Sequence, residues 1–457
     1  MSDDPAEYTL LIVESPTLAR RLKDLVPDSV YVISTGGFLW KPLFDRNSGR
    51  LKKKAIADKR PIRNQIREEA KHAVHIIVAT DSDPSGDFIA WSLHKDLKSS
   101  RIRQGQLTSL TRPAINKMLT EAETTDFRDL HRRLENRFRI KQLWSEFYPG
   151  LTMAQAGLHS LFYEPISLFE FITDAYQKIY CRNGVVSELS KATNSLHLHR
   201  ADTDGWIISE PLSTFDAVTK IAGVRGAFSF TKAQNLLQKL FEAVHPETGE
   251  GLITYPRTDQ RSYFPESWQK LEQEWIRSRS LNEFMPPALR STTESCQPHD
   301  AIRPTTLELT PAWVESHMPR DIGRAYRLIY DRTISSIQIP EQAASTFINE
   351  NKGALMVTEK SIEKNSCEVK PVLSLPELGN ALCRFGVLRP SRFGHFVDKA
   401  LNKDWVLVDQ GGCLLPGKSF KASQFKGKEF GKILLNLHAE ADNRDLSDET
   451  IRYILSS

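Results

Sequence analysis

A multidomain α/β plus α+β fold is expected for this 457-residue chain, on three observations. Two apolar, β-branched runs of strand length, YTLLIV (8–13) and HIIVAT (75–80), each lead into a helical pattern, as strands of an open parallel sheet do. From residue 126 the pattern turns helical, through RRLENRFRIKQLWSEF and HSLFYEPISLFEFITDAY. Short strands rich in Val, Ile, Thr and Ser then occur twice, over 181–215 and 340–375, with a mostly helical stretch between them. A β-region split by a helical insertion implies nested domains.

Taken in order, residues 1–125 read as an α/β domain with a basic insertion near 36–70. A helical domain takes 126–172 and returns at 377–457, and a β-rich one takes 173–215 and 308–376. Residues 216–307 form a further helical domain, holding KAQNLLQKLFEAV and the strand-like GLITY. The length agrees with about three domains at ~150 residues each.

With 40% hydrophobic and 26% charged residues, the chain is neither disordered nor a small disulfide scaffold. No apolar run approaches the ~20 residues that cross a bilayer, and the acidic start MSDDPAEYTLLIVESP is no signal peptide. A cytoplasmic protein with no membrane partner is expected. Cys181, Cys296, Cys367, Cys383 and Cys413 are scattered without a C-x-x-C pair, against disulfides and zinc ribbons alike. The net charge of +4 is mild, but basic residues cluster at Lys52–Arg67, 131–141 and 417–432 with interleaved aromatics. Such runs are solvated faces or nucleic-acid surfaces.

Three places carry chemistry. Glu14 follows the first strand directly, and Asp81 and Asp83 follow the second. In an open parallel sheet the carboxyl ends of the strands converge on one crevice, so three carboxylates can meet there. A cluster of this kind needs a neutralising cation, and Mg²⁺ suits hard oxygen ligands. The alternative is a plain turn with an N-cap, closed by Gly86. In GLITYPRTD (251–259), Tyr255 and Arg257 lie two apart and share a strand face. A phenol attacks phosphorus when cations assist it; the alternative is a half-buried tyrosine beside a surface arginine. In QPHDAIRPT (297–305), His299 is either a phosphate contact or proton carrier, or a structural histidine before a turn.

GCLLPGKS (412–419) fits the phosphate-loop expression G-x-x-x-x-G-K-[ST]. The functional motif must open a helix within a parallel sheet. Only 38 residues follow Ser419, with two more glycines close behind, so nucleotide binding is not expected there.

Read in order, these pieces resemble the type IA DNA topoisomerases. LLIVESPTLA is similar to that family's opening Toprim motif, ATDSDPSGDFIAW to its Asp-x-Asp turn, and GLITYPRTD to its nucleophile motif. PHDAIRPT resembles its histidine motif, and FGVLRPSRFGHFVDKALNKDWV its late G-x-x-R-P-S segment. The resemblance implies a Toprim domain in a toroid of helical gate domains and a β-rich arch. Tyr255 would attack a phosphodiester of single-stranded DNA, leaving a 5′-phosphotyrosyl link and a free 3′-hydroxyl. Resealing would need no ATP, so the expected activity is relaxation of negatively supercoiled DNA, with a poorly cutting DNA clamp as the alternative. Arg257 would hold the scissile phosphate, His299 would assist, and Glu14 would lie near the leaving oxygen. Asp81, Asp83 and Glu14 would bind Mg²⁺, and Arg303, Arg389 and Ser391 would join Arg257 on DNA. A bacterial monomer, at the nucleoid or on a mobile element, is implied.

The departures matter too. Leu18 stands where the family usually has lysine, Ser85 where it has a third carboxylate, and Pro84 where it has arginine. Asp87 keeps an acid after the glycine, Gly36-Gly37 replaces glycine-histidine, and TMAQ (152–155) replaces Gly-Arg-Val-Gln. C-terminal cysteine ribbons are not expected.

Overall fold

The computed structural model describes residues 8–45, 48–81, 84–99, 101–147, 210–223, 228–245, 247–277, 299–338, 374–384, 388–402, 404, 406–408, 414–416, 437, 440–441 and 443–456. Its centre is a five-stranded sheet in the order β2-β1-β5-β6-β7. The strands are β1 (Thr9–Val13), β2 (Val30–Ser34), β5 (His75–Ala79), β6 (Ile102–Gln104) and β7 (Glu123–Thr124). All pair in parallel except β7. The connection from β1 steps to one side, and the later return to β5 steps to the other. The switch point therefore lies between β1 and β5, at whose carboxyl ends ligands bind in such sheets.

Alternation along β1 and β5 builds two cores. Leu10, Ile12, Ile76 and Val78 pack with Phe88, Trp91, Leu130 and Leu134, which belong to helices α3 (Pro84–Leu97) and α5 (Phe127–Phe147). Leu11, Val13, Ile77 and Ala79 face the other way, into a core shared with Phe215, Leu236, Phe241 and Leu252. The sheet and the tyrosine-bearing region thus share one apolar core. Each fully buried Leu or Ile in it contributes roughly 1.5–3 kcal/mol.

The basic stretch is two things. A hairpin of β3 (Trp40–Asp45) and β4 (Arg50–Ala55) leaves the sheet, as an insertion does. Helix α2 (Arg60–His72), by contrast, is the crossover that returns the chain to β5. Its buried stripe is only Arg63, Ile66 and Ala70, too thin for the sequence pattern to reveal. Helices α1 (Pro16–Lys23) and α4 (Arg112–Glu121) complete the α/β domain.

Three helices follow, α6 (Thr214–Ala222), α7 (Phe230–Glu242) and α8 (Pro265–Ile276). The expected β-rich character of 308–376 is not met where it is described, since α9 (Pro311–His317) and α10 (Arg320–Ile337) are helices. Helix α10 buries Ile322, Tyr326, Ile329, Tyr330 and Ile337 on one face, with a 3.6-residue period. Residues 173–209 and 339–373, the core of the expected arch, lie outside the described residues.

The final helical segment divides. Helices α11 (Leu375–Arg384) and α12 (Phe393–Asn402) pack on α6 and α7. Helix α13 (Asp448–Ser456) packs on α5, and Asn136 donates to the carbonyls of Ala441 (2.9 Å) and Arg444 (2.8 Å) just before it. Strand β8 (Val406–Val408) pairs antiparallel with β9 (Leu414–Pro416). A strand therefore runs through the middle of the G-x-x-x-x-G-K-[ST] expression, where a phosphate loop would need free amides. Among the described residues, no helix is long and apolar enough to cross a membrane.

Candidate active site

The turn after β1 is fixed by Ser15, whose side chain caps α1 by accepting from the Leu18 amide at 3.3 Å, with Pro16 opening the helix. Glu14 therefore stands at the carboxyl end of β1. Its carbonyl accepts from the Gly36 amide and the Ser34 hydroxyl, each at 2.9 Å, which ties the turn to the end of β2. Gly36 has φ +59°, and a Cβ there would lie 2.9 Å from the Lys59 ammonium.

The register Val13↔Ala79 brings the turn after β5 alongside. A Cβ on Gly86 would lie 1.9 Å from the carbonyl oxygen of Asp81, so only glycine lets α3 start this close. Asp83 lies outside the described residues.

Across the shared core, the tyrosine segment is held on both sides. The Tyr255 amide donates to the Thr108 carbonyl (2.9 Å) and the Gly251 amide to the Leu110 carbonyl (2.7 Å), so the α/β domain grips one edge. On the other edge the Thr254 amide donates to Arg303 O (2.9 Å) and the Thr305 amide to Leu252 O (3.0 Å). Buried threonines complete the brace. Thr214 Oγ1 donates to Pro256 O (2.7 Å) and accepts from the Thr258 amide (2.8 Å), while Thr254 Oγ1 donates to Ala301 O (3.2 Å). The expected strand is thus realised as isolated bridges to neighbouring segments.

Held this way, the Tyr255 hydroxyl donates to Asp81 Oδ1 at 2.8 Å. The Arg257 guanidinium pairs with the other oxygen, Oδ2, of the same carboxylate. Residues 174 apart in sequence so meet at the switch point of the sheet. The tyrosine ring meets Phe241 edge-on at 5.6 Å and lies against the His299 ring at 4.2 Å.

His299 is buried, and neither ring nitrogen has a hydrogen-bond partner among the described residues. Burial pushes its pKa down to about 4, so the imidazole is neutral at pH 7. Arg303, expected on DNA, is placed elsewhere. It is buried, paired with Asp300 at 3.2 Å and bonded to Ser267 at 2.9 Å. Burial raises the Asp300 pKa, opposed by Arg303, so this arginine serves to neutralise an internal carboxylate.

Arg389 reaches the site from the far end of the chain, its Nη1 donating to Ser85 Oγ at 3.4 Å. Ser391 lines a pocket of about 150 Å³ with Arg257, Gln234, Gln238, Arg392 and His395. Gln234 clamps that turn to α7, donating to Pro390 O (3.0 Å) and accepting from the Gly394 amide (2.6 Å). Leu18 packs half-buried against the shared core and brings no charge. The segment TMAQ lies outside the described residues.

The sequence reading missed the bracing threonines and Gln234. Thr254 and Thr258 flank the tyrosine motif and were open to inference; Thr214 and Gln234 act only through tertiary contacts.

The family model described as DNA topoisomerase matches residues 208–411, and the Toprim domain model matches residues 9–110. These matches support a type IA DNA topoisomerase. Among curated relatives, DNA topoisomerase 1 of Campylobacter jejuni is 21% identical over 93% of this chain and 73% of its own length. DNA topoisomerase 1 of Xylella fastidiosa is 24% identical over 74% of this chain and 49% of its own. Full-length topoisomerase I from Thermotoga maritima shares the fold, with TM-score 0.65, 16% identity, and coverage of 98% of this chain and 89% of that one. Members of this family are isomerases that act on DNA, and the Toprim domain is generally associated with Mg²⁺.

The donor chemistry at the switch point fits that ion. Glu14 and Asp81 offer carboxylate oxygens from adjacent strand ends, without nitrogen or sulfur ligands. Among the described residues, however, no cluster of three such side chains exists.

Proposed function

We propose that this topoisomerase cleaves single-stranded DNA through Tyr255 and reseals it without ATP, relaxing negatively supercoiled DNA as a monomer. The observation that carries the reading is the meeting of the Tyr255 hydroxyl and the Arg257 guanidinium on the carboxylate of Asp81. The phenol is thereby directed at the crevice where Toprim carboxylates gather.

In the forward step the Tyr255 oxygen bonds to phosphorus and the bond from phosphorus to the 3′-oxygen breaks. The phenolic proton passes to Asp81, its present hydrogen-bond acceptor, and Glu14 supplies a proton to the departing 3′-oxygen. Arg257 exchanges Asp81 for the phosphate and offsets the charge that develops there. His299, neutral and with no hydrogen-bond partner among the described residues, donates to a phosphate oxygen. Leaving a buried imidazole unsatisfied costs about 1–3 kcal/mol, a cost relieved when DNA binds. Resealing reverses these steps, with the covalent bond conserving the phosphodiester energy.

Mg²⁺ would be held by Asp83 together with Glu14 and Asp81 in whichever of their ionised states the proton transfers leave, and would add positive charge beside the phosphate. Arg389 and Ser391 would contact the DNA backbone near Arg257.

A second reading, a clamp that cuts poorly, draws on Leu18 and Ser85, which leave the Toprim side without the family's usual lysine and third carboxylate. One experiment separates the two: incubation with a labelled single-stranded oligonucleotide and Mg²⁺, followed by denaturation. A covalent adduct that Tyr255→Phe abolishes supports the first reading, and no adduct at any enzyme excess sinks it.

A further inference from the structure

The β3–β4 hairpin has two unlike faces. Its inner face is anchored: Phe44 stacks on Phe138 of α5 at 6.4 Å, the Leu51 amide donates to Glu135 at 2.9 Å, and Lys53 lies 4.0 Å over the Trp40 ring. Its outer face carries Lys41, Leu43, Arg50, Lys52 and Lys54, all exposed, with Asp45 the single carboxylate among them. Lys52 takes that carboxylate at 2.6 Å.

Lys41 and Lys54 are direct cross-strand partners, and neither has an ion pair among the described residues. Like charges opposite one another destabilise a strand pair. A fold that keeps two lysines in that position, beside a Leu43 that is 46% exposed, carries a cost that a bound polyanion removes.

We propose that this outer face binds the phosphate backbone of a duplex arm adjoining the single-stranded segment at the active site. The proposal rests on the reading of DNA as substrate. The aromatics of the hairpin, Trp40 and Phe44, belong to its inner face, so the outer face has no stacking platform for unpaired bases. A rigid two-stranded ribbon with cations at fixed intervals suits the regular backbone of duplex DNA. Placement agrees as well. Lys53 bonds the carbonyl of Ser92, eight residues into α3 from the site, or about 12 Å along the helix. That distance corresponds to roughly three or four nucleotides of duplex at 3.4 Å each.

Fluorescence anisotropy with two probes tests it: a short single strand, and the same strand extended by a duplex arm. The arm should raise wild-type affinity, and Lys54→Glu should remove most of that gain while leaving single-strand binding and cleavage unchanged. Lys41→Gln with Lys54→Gln should lower the salt slope for the armed probe by about 1.8, for two lost phosphate contacts. Because Lys54→Glu faces Lys41 with an opposite charge, its Tm should rise. Unchanged affinity for the armed probe, an equal loss for both probes, or a fall in Tm would each overturn the proposal. Should the wild-type protein fail to cleave the short strand, the function reading fails, while the arm-dependent gain in affinity can still be read.

Discussion

The two halves of the active site are built differently. The tyrosine half is held from every side: Thr108, Leu110, Ala301 and Arg303 provide backbone partners, buried Thr214 and Thr254 close the gaps, and Phe241 and His299 flank the ring. On the Toprim half the carboxylates stand at the ends of strands, on turns whose close packing rests on glycines such as Gly86. The tyrosine is thus placed by packing, and the carboxylates opposite it are placed by short turns. Packing tolerates few substitutions, whereas turn residues other than these glycines can change without unfolding the site. The departures Leu18, Pro84 and Ser85 all fall on the Toprim half.

The largest effect should come from the tyrosine. Tyr255→Phe removes one hydroxyl and keeps the ring that Phe241 and His299 hold, so folding and single-strand affinity should change little. Cleavage should fall by at least about 10⁴-fold, since no other group supplies the attacking oxygen. Wild-type adduct yield from the Phe variant would show that the tyrosine half is only structural.

Next comes the Toprim half. Asp81→Ala with Asp83→Ala should reduce relaxation by about 10²–10³-fold, because Glu14 alone cannot hold the cation. Thermal stability should change by less than about 1 kcal/mol, since Asp81 is partly exposed and such ion pairs contribute little. A large fall in Tm would erase the proposed contrast between the halves.

What could be read in advance follows the same division. Strands β1 and β5 are continuous apolar runs, and local motifs announced Glu14, Asp81, Tyr255 and Arg257. That Tyr255 and Asp81 touch was beyond any local pattern, as it depends on the core shared by the sheet and α6–α8. Strand β2 escaped notice because only Val32 and Ile33 are fully buried. Helix α10 falls within the span 308–376 expected to be β-rich only because it adjoins the strand-like run 340–375, and the spacing of its own apolar residues is helical. Arg303 was assigned to DNA by its motif; Asp300, three residues earlier, was the available sign of an internal pair.

A third prediction concerns pH and the tyrosine half. The His299 pKa falls from 6.5 to about 4 on folding because burial disfavours the imidazolium. The unfolded chain therefore takes up a proton first as pH falls. The stability tied to the neutral ring is complete above pH 6.5 and is lost progressively down to about pH 4. The loss amounts to about 3 kcal/mol at 1.36 kcal/mol per pH unit. His299→Leu should flatten that part of the denaturation profile between pH 6.5 and 4. A wild-type profile already flat there would mean that the ring is solvated in solution, and that the tyrosine half is looser than described.

The smallest effect should sharpen the contrast most. Leu18 sits in the first turn of α1, half-buried against the shared core, and adds no charge to the crevice. Leu18→Lys would restore an ammonium where the family usually has one. Its stem can stay on the apolar surface while the charge turns outward. Two effects of opposite sign should follow. A cation near a helix N-terminus is unfavourable by about 0.3–1 kcal/mol, so Tm should fall slightly. Single-turnover cleavage should rise about tenfold, equivalent to ~1.4 kcal/mol of barrier. Arg21 is the competing source of charge, being exposed and three residues further along α1. If Arg21 already serves the phosphate, Leu18→Lys will leave the rate unchanged and Arg21→Ala will be severe. Unchanged cleavage in both variants would mean that α1 takes no part, and that Arg257 carries the phosphate charge from the tyrosine half alone.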